Sequence, residues 1–208
     1  MSITKKAPSI VYWLGNKLCL NITNRCSNDC YYCFRRYKNG IRDFNLKLLR
    51  EPSQEEIIQQ LKKTINRHFW NEIIFCGFGE PTERLDCILE VTRWVKKHFG
   101  MAVRIDTNGH GCLLNPERNV IKELKEAGVD RISVSLNAHD EATYIQVCKP
   151  QFEKAFENVL KFIEKASREL DTEITTVTIP EVDIQKVRET AGKMGVRFRI
   201  REYIPCFW

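Results

Sequence analysis

Three cysteines, Cys26, Cys30 and Cys33, stand in the run C-S-N-D-C-Y-Y-C, directly after an apolar stretch that reads as a strand over residues 17–22. Three thiolates at this spacing, on a segment with no helix or strand signal of its own, can close around one metal centre. A structural zinc ion takes four protein ligands in a closed tetrahedron, and no fourth Cys or His lies near in sequence to complete it. An ordinary iron-sulfur cube is held by four Cys. Three Cys on a 4Fe-4S cube would leave one iron open, and an open metal position is where chemistry happens. A zinc knuckle with a distant fourth ligand, or three unlinked thiols, stand as the competing readings.

Other polar groups gather at the ends of later apolar runs. Gly77-Phe78-Gly79-Glu80-Pro81-Thr82 closes one, with glycines that let backbone approach a ligand and a proline that stiffens the exit. Asp106-Thr107-Asn108-Gly109 closes the next, and Ser135 and Asn137 the one after; taken singly, each is equally a turn-forming polar residue. His110 and His139 follow the same ends, where a lone histidine is commonly a surface or satisfied polar contact. Arg199 and Arg201, with Tyr203, lie on the last run and suit a carboxylate or phosphate, unless they pair with acids of the sheet such as Asp106. Cys19, Cys76, Cys87, Cys112, Cys148 and Cys206 lack C-x-x-C spacing, so no second cluster is expected. Cys148 stands apart from the others because it directly precedes Lys149-Pro150.

The elements that must position these groups alternate. Residues 10–14 and 17–22 flank Gly15-Asn16 as a hairpin, and residues 34–50 read as an irregular basic excursion. Ser53 and Glu56 form a capping box for a helix whose stripe is Ile57, Ile58, Leu61, Ile65 and Phe69. Strands over 72–78, 102–107, 131–137, 173–179 and 197–203 then alternate with helices over 84–99, 116–127, 140–147, 152–170 and 182–194, several stopped by glycine. This pattern predicts an α/β domain over residues 1–208: an open, partial TIM barrel, (β/α)6, with a short N-terminal hairpin strand. Several strands alternate polar with apolar residues where doubly covered parallel strands would be apolar throughout. Arg104, Asp106 and Asn108, Ser133, Ser135 and Asn137, Thr176 and Thr178, and Arg197, Arg199 and Arg201 are expected on one polar, concave face, which reads as a binding cavity.

Composition narrows the class. In 208 residues, 43% are hydrophobic and 29% charged, as in globular proteins, and no apolar run is long enough for a membrane helix. The start lacks a secretion signal, and nine cysteines at irregular spacing argue against a disulfide scaffold, so a reducing cytoplasm is expected. A net charge of +6 is too mild to mark a nucleic-acid binder. Arg35, Arg36, Lys38, Arg42, Lys47 and Arg50 crowd one segment, either as solvated surface or as an anion-attracting rim.

Tyr32, the aromatic residue before Cys33, sharpens the first motif: CxxxCxxC with an aromatic at that place resembles the radical S-adenosylmethionine (radical SAM) superfamily. The GFGEP run resembles that family's GGEP motif in register, with Phe78 at the second place. CGFGEPTERLD from Cys76, SVSLNAHDEATYIQVCKP from Ser133 and GVRFRIREY from Gly195 look like the radical SAM proteins named for association with TatD-family nucleases. The resemblance implies a 4Fe-4S cluster on Cys26, Cys30 and Cys33, with S-adenosylmethionine chelated to its open iron. It implies that Gly77, Gly79, Glu80 and Pro81 grip the methionine amino group, and that Asp106, Asn108, Ser135 and Asn137 contact ribose and carboxylate. The surroundings of Tyr32 and Thr178 would face adenine. A 5'-deoxyadenosyl radical would then take hydrogen from an anionic substrate held by Arg199, Arg201 and Tyr203, with nucleotide or RNA among the candidates. A reductant such as a flavodoxin or ferredoxin, and a TatD-type nuclease, are the implied partners. A glycyl-radical activating enzyme acting on a partner protein and a non-catalytic electron-transfer protein are the alternatives.

Overall fold

A computed structural model describes residues 7–203; Cys206, weighed above, lies outside them. The first two apolar runs form the antiparallel hairpin β1 (Val11–Leu14) and β2 (Lys17–Leu20), with Val11 opposite Leu20. The basic excursion holds one 3-10 turn at Phe34–Arg36 and a two-rung hairpin, β3 (Gly40–Ile41) and β4 (Phe44–Asn45). Helix α1 (Gln54–Ile65) starts at the expected capping box: Glu56 N donates to Ser53 Oγ at 3.2 Å and Ser53 N to Glu56 Oε2 at 2.8 Å. It ends at Asn66, so Phe69 falls beyond the helix and is 78% exposed rather than part of the stripe. Ile57, Leu61, Thr64 and Ile65 already complete the buried face, and nothing beyond them is left to hold a further turn.

Strands and helices then alternate through β5 (Glu72–Phe75), α2 (Leu85–Phe99), β6 (Val103–Thr107), α3 (Gly111–Leu114), α4 (Val120–Ala127) and β7 (Arg131–Ser135). They continue through α5 (Glu141–Cys148), α6 (Ala155–Ser167), β8 (Asp171–Val177), α7 (Ile184–Lys193) and β9 (Arg197–Arg201). The helix expected from Pro116 begins at Val120, because Asn119 caps it by accepting from Lys122 N, and the short α3 precedes it. Gly100 and Gly128, at φ of 61° and 99°, end α2 and α4 in the left-handed conformation that glycine alone adopts freely.

The main sheet runs β1-β2-β5-β6-β7-β8-β9, parallel from β2 onward. This is the α/β partial barrel expected, with its helices packed on one face. That convex side carries a continuous core including Leu18, Phe75, Ile88, Ile105, Val134, Phe162 and Ile174. The concave side has only a small apolar cluster, Tyr12, Cys19, Leu46, Ile74 and Phe78, under the N-terminal hairpin.

Parallel register fixes which residues share the concave face. Asp106 pairs with Ser133, Ser133 with Glu173, Ser135 with Thr175, Thr175 with Arg199 and Val177 with Arg201. On β8 it is therefore Glu173, Thr175 and Val177 that share the concave face, not Thr176 and Thr178 as the alternation suggested. The polar run Thr175-Thr176 reads equally well in either phase, and a one-residue slip exchanges the faces. Thr176 is fully buried with its hydroxyl unpartnered, whereas Thr178 is exposed and accepts from Tyr203 N at 2.8 Å.

Candidate metal and cofactor site

A cavity of about 490 Å³ opens at the C-terminal ends of the strands, and Cys26, Cys30 and Cys33 all line it. The loop that carries them is tied on three sides. From below, Gly79 N donates to Thr23 O at 2.9 Å and Glu80 N to Arg25 O at 2.7 Å, pressing the GFGEP turn on the start of the loop. A Cβ at Gly77 would stand 2.3 Å from Asn21 Oδ1, and one at Gly79 2.2 Å from Arg25 O. These glycines are thus required by the chain's own loop packing, which sequence reasoning had read as room for a ligand. Asn21, fully buried, accepts from Phe78 N at 2.9 Å and donates to Leu46 O at 2.7 Å and Ser9 O at 3.0 Å.

The second tie is a buried polar network. His110 Nδ1 lies 2.8 Å from Ser27 Oγ, and its Nε2 lies 3.0 Å from Tyr144 OH on α5. Asn28 Nδ2 donates to Tyr144 OH at 3.2 Å, and Asn108 Nδ2 donates to Ser27 Oγ at 3.0 Å and toward Cys26 Sγ at 3.8 Å. Burial holds the His110 imidazole neutral, with its pKa lowered to about 4. The third tie is backbone: Asp29 N donates to Cys148 O at 3.0 Å and Tyr31 N to Val147 O at 3.2 Å. His110 is thus a satisfied core group. Ser27, Asn28 and Tyr144 were missed; polarity inside the cysteine run was the only sequence signal for Ser27 and Asn28, and Tyr144, on α5, had none.

Across the cavity, Glu80 is buried and accepts from Thr82 N at 3.0 Å, Thr82 Oγ1 and Thr107 Oγ1 at 2.7 Å each, and Asn108 N at 2.6 Å. Burial raises its pKa against the pull of these donors. Asp106 is likewise raised by burial, opposed first by Arg104, which donates to it at 2.8 Å and to Glu72 at 3.0 Å. Arg199 donates to Glu173 at 2.8 Å, and with Ser133 it outweighs burial to hold that carboxyl below its usual range. Arg201 differs. Among the described residues its guanidinium hydrogen-bonds only neutral groups, Ser135 Oγ at 3.0 Å and Asn137 Oδ1 at 3.2 Å, its buried Nε has no hydrogen-bond partner, and the Asp106 carboxylate lies within electrostatic reach. Of the residues singled out from sequence, Tyr32, Gly77, Gly79, Glu80, Asp106, Asn108, Ser135, Asn137, Arg199, Arg201 and Tyr203 line this one cavity with the three cysteines. Pro81 sits just beneath, opening a buried 3-10 turn, and Thr178 lies off the lining.

Among the described residues no three His, Cys, Asp or Glu side chains are gathered closely enough for a single metal ion. A zinc ion needs its thiolates about 2.3 Å from one centre, whereas a cube takes one thiolate on each of several irons, which suits three thiols lining one cavity. Orphaned Arg201 Nε supplies a donor for an anionic group beside it.

The chain matches the family described as the Radical SAM superfamily over residues 20–194. The chain belongs to that superfamily. Radical SAM enzymes use a 4Fe-4S cluster and S-adenosylmethionine, the pair for which the site is suited. A Methanocaldococcus jannaschii protein carrying the name probable GTP 3',8-cyclase is 28% identical over 187 residues, covering 89% of this chain and 58% of that protein. Another from the same organism, carrying the name of a glycyl-radical enzyme activating enzyme, is 27% identical over 208 residues, covering 97% and 75%. The chain therefore spans less than two thirds of the length of the cyclase-named relative. The crystal structure of Streptococcus suis SuiB bound to S-adenosylmethionine superposes with a TM-score of 0.70 at 14% identity, over 92% of this chain and 41% of that one. At that identity the likeness shows the radical SAM partial-barrel fold alone.

Proposed function

We propose that residues 1–208 form one radical SAM catalytic domain in which Cys26, Cys30 and Cys33 hold a 4Fe-4S cluster, with S-adenosylmethionine bound beside it. The observation that carries this reading is the convergence of the three thiols and the ends of β5, β6, β7, β8 and β9 on one cavity. Glu80, Asp106, Asn108, Ser135 and Asn137 are the polar contacts for the methionine and ribose portions, and Gly77, Gly79 and Pro81 set the backbone that presents Glu80. Tyr32 supplies an aromatic wall for the adenine; Val177 takes the place first given to Thr178 on that side. When bound, the pair supplies reductive cleavage of S-adenosylmethionine to a 5'-deoxyadenosyl radical that removes hydrogen from the substrate. The chain's own work is to orient these groups and exclude water. The concave face serves the former with ion-paired rungs, Arg104 with Glu72 and Asp106, and Arg199 with Glu173, which fix its side chains.

The substrate is anionic on this reading. Among the described residues Arg201 hydrogen-bonds neutral groups and meets the Asp106 charge only at longer range, while Arg199 is ion-paired directly with Glu173, so Arg201 rather than the pair is the anion site; Tyr203 flanks it. A nucleotide fits such a cation among aromatic rings. An electron donor of the flavodoxin or ferredoxin class, a cytoplasmic setting, and membership of the TatD-associated group with a nuclease partner complete the proposal. The last rests on the segments from Cys76, Ser133 and Gly195. A second reading, activation of a partner protein by a glycyl radical, is favoured by the relative of that name that matches 97% of this chain.

Anaerobic loading with iron and sulfide, followed by EPR of the reduced protein with and without S-adenosylmethionine, tests the reading. A 4Fe-4S signal that shifts with S-adenosylmethionine and vanishes in Cys30→Ala is expected. A signal indifferent to S-adenosylmethionine would return the protein to the electron-transfer class. For the substrate, Arg201→Leu should abolish substrate-dependent cleavage and spare the EPR shift, while Arg199→Leu keeps more of the turnover; equal loss in both would sink the assignment to Arg201.

A further inference from the structure

Cys148 has no part in the reading above, yet it lies against the cysteine loop. It is fully buried at the end of α5, where Lys149, at φ of 47°, turns the chain back toward the loop. The two segments then run antiparallel: Asn28 bridges Pro150, and Asp29 N and Tyr31 N donate to Cys148 O and Val147 O. Two residues on from the Asn28 and Pro150 bridge, this register sets Cys30 across from Cys148. A disulfide needs Cβ atoms about 3.5–4.5 Å apart, and the backbone bonds on either side of Cys30, from Asp29 N and Tyr31 N, hold it beside Cys148 at the end of α5. The side chains agree with the backbone. Tyr32 OH stands 3.4 Å from Cys148 Sγ, and the Cys30 and Cys148 thiols are near enough to interact electrostatically.

We propose that Cys30 and Cys148 form a reversible disulfide in the cluster-free protein, with Cys148 as the resolving thiol. Cys30 is half-buried and lines the open cavity, so a small disulfide oxidant such as oxidised glutathione reaches it; Cys148 is sealed behind. In the first exchange Cys30 gives up its proton and attacks one glutathione sulfur, breaking the oxidant's S–S bond and expelling one glutathione thiolate. In the second, Cys148 gives up its proton and displaces the other glutathione from Cys30. Two protein thiols are oxidised by two electrons, and one glutathione disulfide is reduced to two thiols. A ligand thiol is thereby withheld from iron yet kept from irreversible oxidation to sulfinic acid, since a resolving cysteine intercepts the earlier oxidised states.

The test uses the full chain, stripped of iron by a chelator under anaerobic conditions and treated with oxidised glutathione. Peptide mapping without reduction should find the Cys30 and Cys148 peptides joined, with the pair lighter by two hydrogens. Iron uptake should be lost and then restored by dithiothreitol. Cys148→Ser should carry a stable glutathione adduct on Cys30 and no joined peptide. Cys148→Ala gives the same readout should serine disturb the packing, and the wild-type map stands without any variant. Joined peptides pairing Cys30 with Cys26 or Cys33, or Cys148 recovered free after full oxidation, would overturn the proposal. Failure of the reduced chain to take up iron would count against the cluster reading alone, because the joined peptide does not depend on it.

Discussion

His110 carries a pH dependence whose sign follows from its burial. Its pKa is about 4 in the folded protein against about 6.5 in an unfolded chain. The unfolded state therefore binds the proton more readily, so the stability His110 contributes is present above pH ~6.5 and is lost as pH falls toward 4, up to about 3 kcal/mol in all. Urea unfolding at pH 7.5 and 4.5 should show a larger acid loss in the wild type than in His110→Gln; equal losses would mean that the imidazole is not the group responsible. A glycine pair makes a second residue-scale contrast. Gly79→Ala sets a Cβ 2.2 Å from Arg25 O and 2.7 Å from Thr23 O, backbone atoms that cannot swing aside, whereas Gly192 in α7 has nothing within 4 Å. Gly79→Ala should destabilise by about 1–3 kcal/mol or more, and Gly192→Ala should stabilise by up to about 1 kcal/mol. Denaturant midpoints that moved in the same direction would remove the crowding argument.

At the scale of elements, local chemistry carries most of the order. The capping box of α1 is complete in the structure, so Ser53→Ala should cost about 0.5–2 kcal/mol, read as a lowered melting temperature with the helix otherwise intact. That box, the glycine stops at Gly100 and Gly128, and the alternation of strand and helix were legible because each is written within a few neighbouring residues. The three cysteines and the strand-end polar groups were legible for the same reason. What escaped was set by long-range packing. The facing of β8 depends on its register with β7 and β9, and Glu173 reveals its place only through Arg199 and Ser133. Asn21, a buried amide at the end of an apolar strand, serves a turn that lies 57 residues away in sequence. No short-range pattern separates such an amide from an ordinary loop residue.

Across the whole molecule the two faces of the sheet do different work. The convex face holds the continuous apolar core, while the concave face, apart from the small cluster around Tyr12, is lined with ion pairs and amides that stabilise weakly for the area they cover. The cysteine loop is fastened to the GFGEP turn after β5, to Asn108 after β6 and to the end of α5, so it links elements from half the sheet on that weaker side. A group bound by its thiols in the native state only must therefore stabilise more than the loop, since native-state binding shifts the folding equilibrium by mass action. Burial pushes the Cys26 thiol up to about 12, so this thiol must shed its proton on loading, and uptake of iron should quicken as pH rises from 7 to 8.5. Loaded protein should melt well above chelator-stripped protein, by several degrees in a chain of this size, and hydrogen exchange should slow at the ends of β5 and β6 and in α5 as well as in the loop. Cys26→Ala should erase both differences. Protection confined to residues 26–33 would show instead that the loop closes on its cluster without engaging the sheet, and the ties through Ser27, Asn28 and Asn108 would then be incidental to the site.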